Sequence, residues 1–253
     1  RIDTLTGDVA LHEGELVEHA LSPRVILPAA PLGVSWQSDM TVTIDRKATA
    51  LPSIAEDELA HDLELLAVAA GCGRPAFKTW VTEKLTVVVG RAVDIATEVD
   101  VERCERLGAC IVRRPSGGRS VVIGPGTVQY TFALPYHLSP ELAGIPGSKR
   151  FCNRLLLGGL CDPRISQDDS GDLLVGDRKV GGLAIKRGRN AMMLHGTLLA
   201  CADMDAVAAL LRHPLREPAY RRGRAHADFL LNLGPIDHES LTRRVAASLA
   251  DLT

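Results

Sequence analysis

Residues 113–120 read Arg-Arg-Pro-Ser-Gly-Gly-Arg-Ser, and the stretches on either side of them decide how the chain is laid out. Ala109 to Arg114 has the apolar, β-branched character of a strand, and it ends on two arginines. Pro115 and Gly117-Gly118 then break the pattern, and Val121-Val122-Ile123 resumes it. Such an arrangement is strand, turn, strand. Glycines let a backbone come close to an anion, and successive N–H groups can form a nest around it. Arginine adds fixed, charge-assisted bonds to phosphate or carboxylate. The same residues would serve in an ordinary surface turn with solvated arginines, so the rest of the chain has to decide between the two.

Upstream, Ser53 and Glu56 have the spacing of a capping box, and Leu59, Leu63, Leu66 and Ala70 recur at helical spacing up to Gly71. Lys84 to Gly90 reads as a buried strand and Val101 to Gly108 as a short helix. Downstream, Val128 to Leu134 is a strand and Ser148 to Leu157 a helix. Asp172 to Val175 and Lys179 to Ile185 form a hairpin turning at Gly176-Asp177. Leu194 to Ala200 is a strand, and Asp203 to Leu211 and Asp237 to Leu249 are helices. Strands and helices alternate without a strict βαβ period, which predicts an α+β fold: a mixed, mainly antiparallel central sheet flanked by helices. Residues 51–253 would form that domain. Residues 1–50, with strand-like stretches at Arg24–Leu27 and Met40–Ile44, would form an extension packed on it.

Composition narrows the function. The chain has 253 residues, and its formal net charge of -2 argues against bulk electrostatic binding to nucleic acid or to a membrane surface. No apolar run approaches the roughly 20 residues needed to span a bilayer. The chain begins without an initiator methionine, and Asp3 and Asp8 interrupt any secretory-leader pattern in its first residues. Six cysteines are scattered without a Cys-x-x-Cys pair, so they read as reduced thiols of a cytoplasmic protein and not as a zinc site.

Two further segments carry candidate chemistry. In Gly176-Asp177-Arg178-Lys179-Val180-Gly181-Gly182-Leu183-Ala184 a lysine opens an apolar, glycine-containing strand. Its ammonium would sit in a cleft, where it could hold a carboxylate and then an acyl-phosphate oxygen; an edge lysine on a plain hairpin is the alternative. In Leu194-His195-Gly196-Thr197-Leu198-Leu199 a histidine lies in an apolar strand beside a glycine that allows close backbone approach. Taken alone, such a histidine is more simply a satisfied core residue.

In this order and spacing, RRPSGG, GDRKVGGLA and LHGTLL resemble the lipoate–protein ligase family, which shares a superfamily with biotin ligases and octanoyltransferases. The resemblance runs from about Ser53 to Leu233 and includes LTVVVGR at 85–91 and RRGRAHADFLLNL at 221–233. It implies that Lys179 is the catalytic lysine. It assigns Arg114, Ser116, Gly117, Gly118, Arg119, Gly181, His195 and Gly196 to substrate and adenylate binding, and it places Asp172 beside the nucleotide and Mg²⁺. ATP and lipoate or octanoate would be the small substrates, and a lipoyl-domain carrier protein the acceptor. The chain departs from the family pattern at Arg119, where a third glycine is usual. It departs again at Ile123-Gly124, where His-Asp is usual, and at Gly182-Leu183-Ala184, where Ser-Ala-Gln is usual. A guanidinium at Arg119 stays charged, so it must meet an anion or water, and a nucleotide phosphate is the expected partner. Two rival readings remain. One is ATP-independent acyl transfer through a cysteine, for which Cys161 is the only plausible nucleophile. The other is an acyl- or carrier-binding module without catalysis.

Overall fold

A computed structural model describes residues 54–214 and 216–252. The proposed strands at 24–27 and 40–44, the extension 1–50 and the Ser53–Glu56 capping box lie outside the described residues and side chains.

Helix α1 (Ile54–Cys72) runs one residue past Gly71. The turn that ends it is made by Gly73, at φ +67°, whose N–H bonds to Ala69 O at 3.1 Å. Six strands form the main sheet: β1 (Ala76–Trp80), β5 (Thr127–Pro135), β9 (Ala191–Leu199), β8 (Arg178–Arg187), β7 (Leu173–Val175) and β6 (Ile165–Gln167), in that spatial order. Every neighbouring pair is antiparallel. A second sheet of three strands has β2 (Thr86–Val89) between β3 (Cys110–Arg113) and β4 (Val121–Ile123). Its β2–β3 pair is parallel. The mixed, mainly antiparallel α+β architecture is therefore found, but it is divided between two sheets, where one was expected. Short helices α2 (Ile95–Glu98) and α3 (Val101–Leu107) make the crossover between the parallel strands. Gly108, at φ +64°, caps the second of them.

The sidedness of the main sheet follows from the two-residue period of strands. Phe77, Phe132 and Leu194 lie in one cross-strand row on the first face. With Tyr130 and Leu198 they form the largest core, against Phe151 and Leu156 of α4 (Ile145–Leu160) and Leu241 and Val245 of α7 (His238–Ala250). On the opposite face Ala133, Ala191 and Met193 pack under Leu65, Leu66 and Ala69 of α1. That second face also carries a polar row, Lys78–Thr131–His195, fixed by the β1–β5–β9 register. The smaller sheet divides in the same way. Val87, Val89 and Val122 pack with Val207 and Leu210 of α5 (Met204–Leu210), while Val88, Val112 and Ile123 meet Leu59 and Trp80. Leu59 and Trp80 thus tie α1 and the main sheet to the smaller one. A last short helix, α6 (His226–Phe229), packs against β8.

Two strands were not legible in advance. In Ala76-Phe77-Lys78-Thr79-Trp80 a lysine sits at a core-facing position, which hides the strand period. Ile165-Ser166-Gln167 is too short to show a period at all. Helix α4 begins three residues before the expected Ser148, because Pro146 sets the dihedral of its first turn.

Gly196 is explained by packing. A side chain there would run into the Tyr130 hydroxyl and the Gly182 carbonyl. Gly196→Ala is therefore expected to destabilise the fold by about 1–3 kcal/mol or more through overpacking. Urea unfolding monitored by circular dichroism would check this, and a variant as stable as the parent would remove the steric account.

Candidate active site

A cavity of about 250 Å³ opens between the two sheets. Apolar groups line one side, among them Leu59, Trp80, Val88 and Val121. Arg114, Arg119, Lys179, Gly181, His195 and Gly196 also reach its wall. These residues come from the β3–β4 turn, the start of β8 and the middle of β9. The fold therefore brings together all three segments singled out by sequence. Ser116, Gly117, Gly118 and Asp172 do not line the cavity themselves.

Lys179 is partly exposed, and its ammonium pairs with Asp172 at 2.8 Å. It lies directly over Gly182: a Cβ there would meet the Lys179 Nζ at 2.8 Å. The glycine that makes room for the lysine is thus Gly182. Gly181 packs against the Thr197 carbonyl and Leu198. Asp172 also accepts a hydrogen bond from the Tyr220 hydroxyl at 2.7 Å. Burial first, and then the Asp172 charge, push the Tyr220 phenol well above its ordinary value, so it remains a donor. Both Asp172 oxygens are engaged within the protein. Among the described residues, no three His, Cys, Asp or Glu side chains cluster as a metal site.

Arg114 is buried and directs its donors into its own turn. Nε donates to Ser116 Oγ at 3.0 Å, and Nη2 donates to Gly117 O and Arg119 O at 2.8 and 2.7 Å. Nη1 reaches Val88 O at 3.3 Å. Burial lowers its pKa to about 10, partly offset by Glu98, so it stays charged at neutral pH. With Gly117 O and Arg119 O drawn inward, the N–H groups of Gly117, Gly118 and Arg119 donate to no acceptor among the described residues. Gly118, at φ +88°, places its carbonyl hard against Gly90. Any side chain at Gly90 would collide with it. These three consecutive N–H groups without a protein acceptor leave open the anion contact that the glycines suggested.

Arg119 meets an anion, but one supplied by the protein. Its Nη1 pairs with Glu98, a buried residue of α2. Glu98 also accepts from Ser120 N at 2.9 Å and Ser120 Oγ at 2.8 Å. Burial pushes the Glu98 carboxyl up, but the hydrogen bonds from Arg119 and Ser120 outweigh it, and the net pKa lies below 4.5.

His195 is nearly buried and bonded at both nitrogens. Nδ1 is 3.0 Å from Asp62 Oδ2, and Nε2 is 2.5 Å from Ser116 Oγ. Asp62 Oδ1 accepts from Thr131 Oγ1 at 2.8 Å and pairs with Lys78 at 3.0 Å. Lys78 is shared with Glu58 at 2.6 Å. Sequence reasoning passed over Asp62, Lys78 and Glu98. The signal for Asp62 was an acid inside the apolar stripe Leu59–Leu63–Leu66 of α1, a placement that demands a buried partner.

The segment after β9 covers one side of the cavity with Arg212, Arg216, Arg221, His226, Phe229 and Leu230. Arg221 stacks over the Phe229 ring at 4.7 Å. Burial, followed by Arg221 and His213, lowers the His226 pKa to about 4, leaving it neutral at pH 7. Cys161 is exposed at the end of α4 at φ +55°, with its thiol on Gly158 O, and it is not on the cavity wall.

The Glu98 brace can be tested by pH. Its folded pKa is below the unfolded 4.5, so its stabilisation is complete above pH 4.5 and fades as the pH falls through the lower folded value. Glu98→Gln should cost about 1.5–3 kcal/mol at pH 7, the usual worth of hydrogen bonds to a charged group. The gap between variant and parent should narrow below pH 4.5 in urea titrations. A gap that is independent of pH would mean that the carboxylate charge is not what holds the loop.

Comparison with known proteins identifies the fold and the family. Lipoate-protein ligase A of Psychrobacter cryohalolentis is 31% identical over 163 residues, covering 62% of this chain and 46% of that ligase. The chain therefore spans about half the length of that curated relative. The fold matches a bi-partite lipoate protein ligase from Thermoplasma acidophilum, solved together with its E2 lipoyl domain, at TM-score 0.65 and 17% identity, covering 80% of each chain. It also matches a lipoate-protein ligase A bound with ATP at TM-score 0.61 and 18% identity, covering 77% of this chain and 78% of that one. A model of the lipoyl protein ligase A/B catalytic domain matches residues 54–249, and the chain belongs to that family.

Proposed function

We propose that this chain joins lipoate or octanoate to a lysine of a lipoyl-domain carrier protein, using ATP and passing through an acyl adenylate. One observation carries the reading. Lys179, His195, Arg114 and Arg119 come from distant parts of the sequence and converge on one cavity with an apolar wall. A fatty-acyl tail suits the side formed by Leu59, Trp80 and Val88, and an anionic head suits the Lys179 end. The relatives named above, one solved with ATP and one with its lipoyl domain, support the same reading.

In the first step a carboxylate oxygen of the acid attacks the α-phosphorus of ATP, and the bond to pyrophosphate breaks. In the second, the amine of the carrier lysine attacks the acyl carbonyl, and AMP leaves. The chain's contribution is position and charge. Lys179 holds the carboxylate and then offsets the charge growing on the acyl-phosphate oxygens. The N–H groups of Gly117, Gly118 and Arg119 donate to the adenylate phosphate. Asp172 and Tyr220 fix the lysine in place. The donors present do not form a Mg²⁺ cage, because Asp172 is committed to Lys179 and Tyr220. Mg²⁺ would arrive with the nucleotide, held mainly by its phosphates. Transfer through a cysteine has little support, since Cys161 lies off the cavity wall. The six free thiols suit the reducing, cytoplasmic setting expected from the sequence.

Incubation with ATP, lipoate and a lipoyl domain should add one lipoyl mass to the domain, and omission of ATP should abolish the addition. Loading from an acyl thioester without ATP would indicate transfer, and no loading at all would indicate a binding module. Lys179→Ala should keep its far-ultraviolet spectrum and lose about 10²–10³ in turnover, as expected for a lost transition-state donor. Turnover at the parent rate would remove Lys179 from the mechanism.

A further inference from the structure

We propose that Asp62 is a positioning residue for the Arg114–Arg119 turn, acting through His195 on Ser116 and Arg114. The inference rests on the function proposed above, but it concerns a residue to which neither the family resemblance nor the site motifs assign a role.

The sheet register builds the relay. Lys78, Thr131 and His195 form one cross-strand row, and α1 lays Asp62 across it. The Asp62 side chain is 2% exposed. Asp62 Oδ1 accepts from Thr131 and pairs with the Lys78 ammonium, and Oδ2 faces the His195 ring as an acceptor. His195 Nδ1 lies 3.0 Å from Asp62 Oδ2, placed to donate to it. The buried Ser116 hydroxyl accepts from Arg114 Nε, 3.0 Å away, and the one remaining partner for its own proton among the described residues is His195 Nε2, so Nε2 accepts and Nδ1 carries the ring proton. The contact between Ser116 Oγ and His195 Nε2 then runs from the serine hydroxyl to the ring. Every donor in the chain thus has a fixed direction, and the chain ends at Asp62. At the far end, the Arg114 fork holds Gly117 O and Arg119 O, and Ser116 O holds the N–H of Arg91 at 2.9 Å.

Serine, histidine and aspartate in this order also make a nucleophile in hydrolases. Here the serine is 1% exposed, its oxygen accepts from Arg114, and the aspartate is shared with Lys78. Those contacts suit holding a loop, not attacking a carbonyl.

Asp62→Asn puts an amide in place of an obligate acceptor and allows the other histidine tautomer. Nitrogen-15 spectra of the ring should then show protonation moving from Nδ1 to Nε2. Amide exchange at Arg91, the reporter of loop seating, should speed up about tenfold, and ATP affinity measured by calorimetry should fall about tenfold, each the worth of one hydrogen bond. In a Ser116→Ala background the same substitution should change ATP affinity by no more than about twofold, because the relay is already cut. Should Asp62→Asn fold poorly, His195→Gln keeps the Asp62–Lys78 pair and can supply both an amide donor and a carbonyl acceptor. It should retain ATP affinity better than His195→Leu. A lower melting temperature with unchanged Arg91 exchange and ATP affinity would overturn the proposal. So would full additivity with Ser116→Ala, equal losses in the two histidine variants, or labelling of Ser116 by a fluorophosphonate. If the parent protein binds no ATP, the proposed function fails, while the tautomer and Arg91 exchange still decide the relay.

Discussion

The buried guanidinium of Arg114 is the fixed point around which the site is built. A charge taken out of water must find partners in the protein, because an unpaired buried cation costs several kcal/mol. Arg114 finds them in the carbonyls of Val88, Gly117 and Arg119 and the hydroxyl of Ser116. The turn is therefore folded around the arginine. Gly117 O and Arg119 O are drawn inward, and the N–H groups of Gly117, Gly118 and Arg119 are left without an acceptor among the described residues. Arg113 works in parallel on the other strand end, where its Nη1 donates to Gly90 O at 2.8 Å and Val93 O at 2.9 Å. Arg114, which the family resemblance assigns to the substrate, spends its donors on the backbone and hydroxyl of its own turn and on Val88 O.

Strand alternation explains how a polar site and a dry core share the same strands. Along β5, Phe132 and Tyr130 point to the core with α4 and α7, while Thr131 and Gln129 point to the cavity side. Along β9, His195 and Thr197 share the cavity side with them. A one-residue slip would turn Phe132 and Tyr130 away from α4 and α7 and put Thr131 and Gln129 into the core, so the register is strongly specified. Close contact of Gly196 with Tyr130 and Gly182 further restricts it.

Much of this was readable in the residues. The glycine turn, the lysine strand and the histidine strand were identifiable by local composition, and the structure gathers them at one cavity. Helices with an aspartate at the cap, such as those following Asp203 and Asp237, matched within a residue. The unreadable parts depend on distant partners. Lys78 looks misplaced in a buried strand until Glu58 and Asp62 are set beside it. Arg119 suggests a phosphate contact until α2 brings up Glu98. Asp172 suggests a metal ligand until Tyr220, 48 positions later, takes one of its oxygens. Division into two sheets was equally hidden, since no local pattern records which strands will pair.

The carbonyl of Lys179 accepts its hydrogen bond from Leu231 at 2.9 Å, and Leu233 and Gly234 bond in turn to Leu199 and Ala200. The lysine strand is thus moored by a stretch made long after it. At roughly 5–20 residues per second on the ribosome, the nascent chain carries its glycine turn, its lysine and its histidine for several seconds before the mooring is synthesised. The moored cavity is consequently a late product of translation, and a ribosome stalled ahead of residue 231 would hold a chain whose lysine strand still lacks the Leu231 bond.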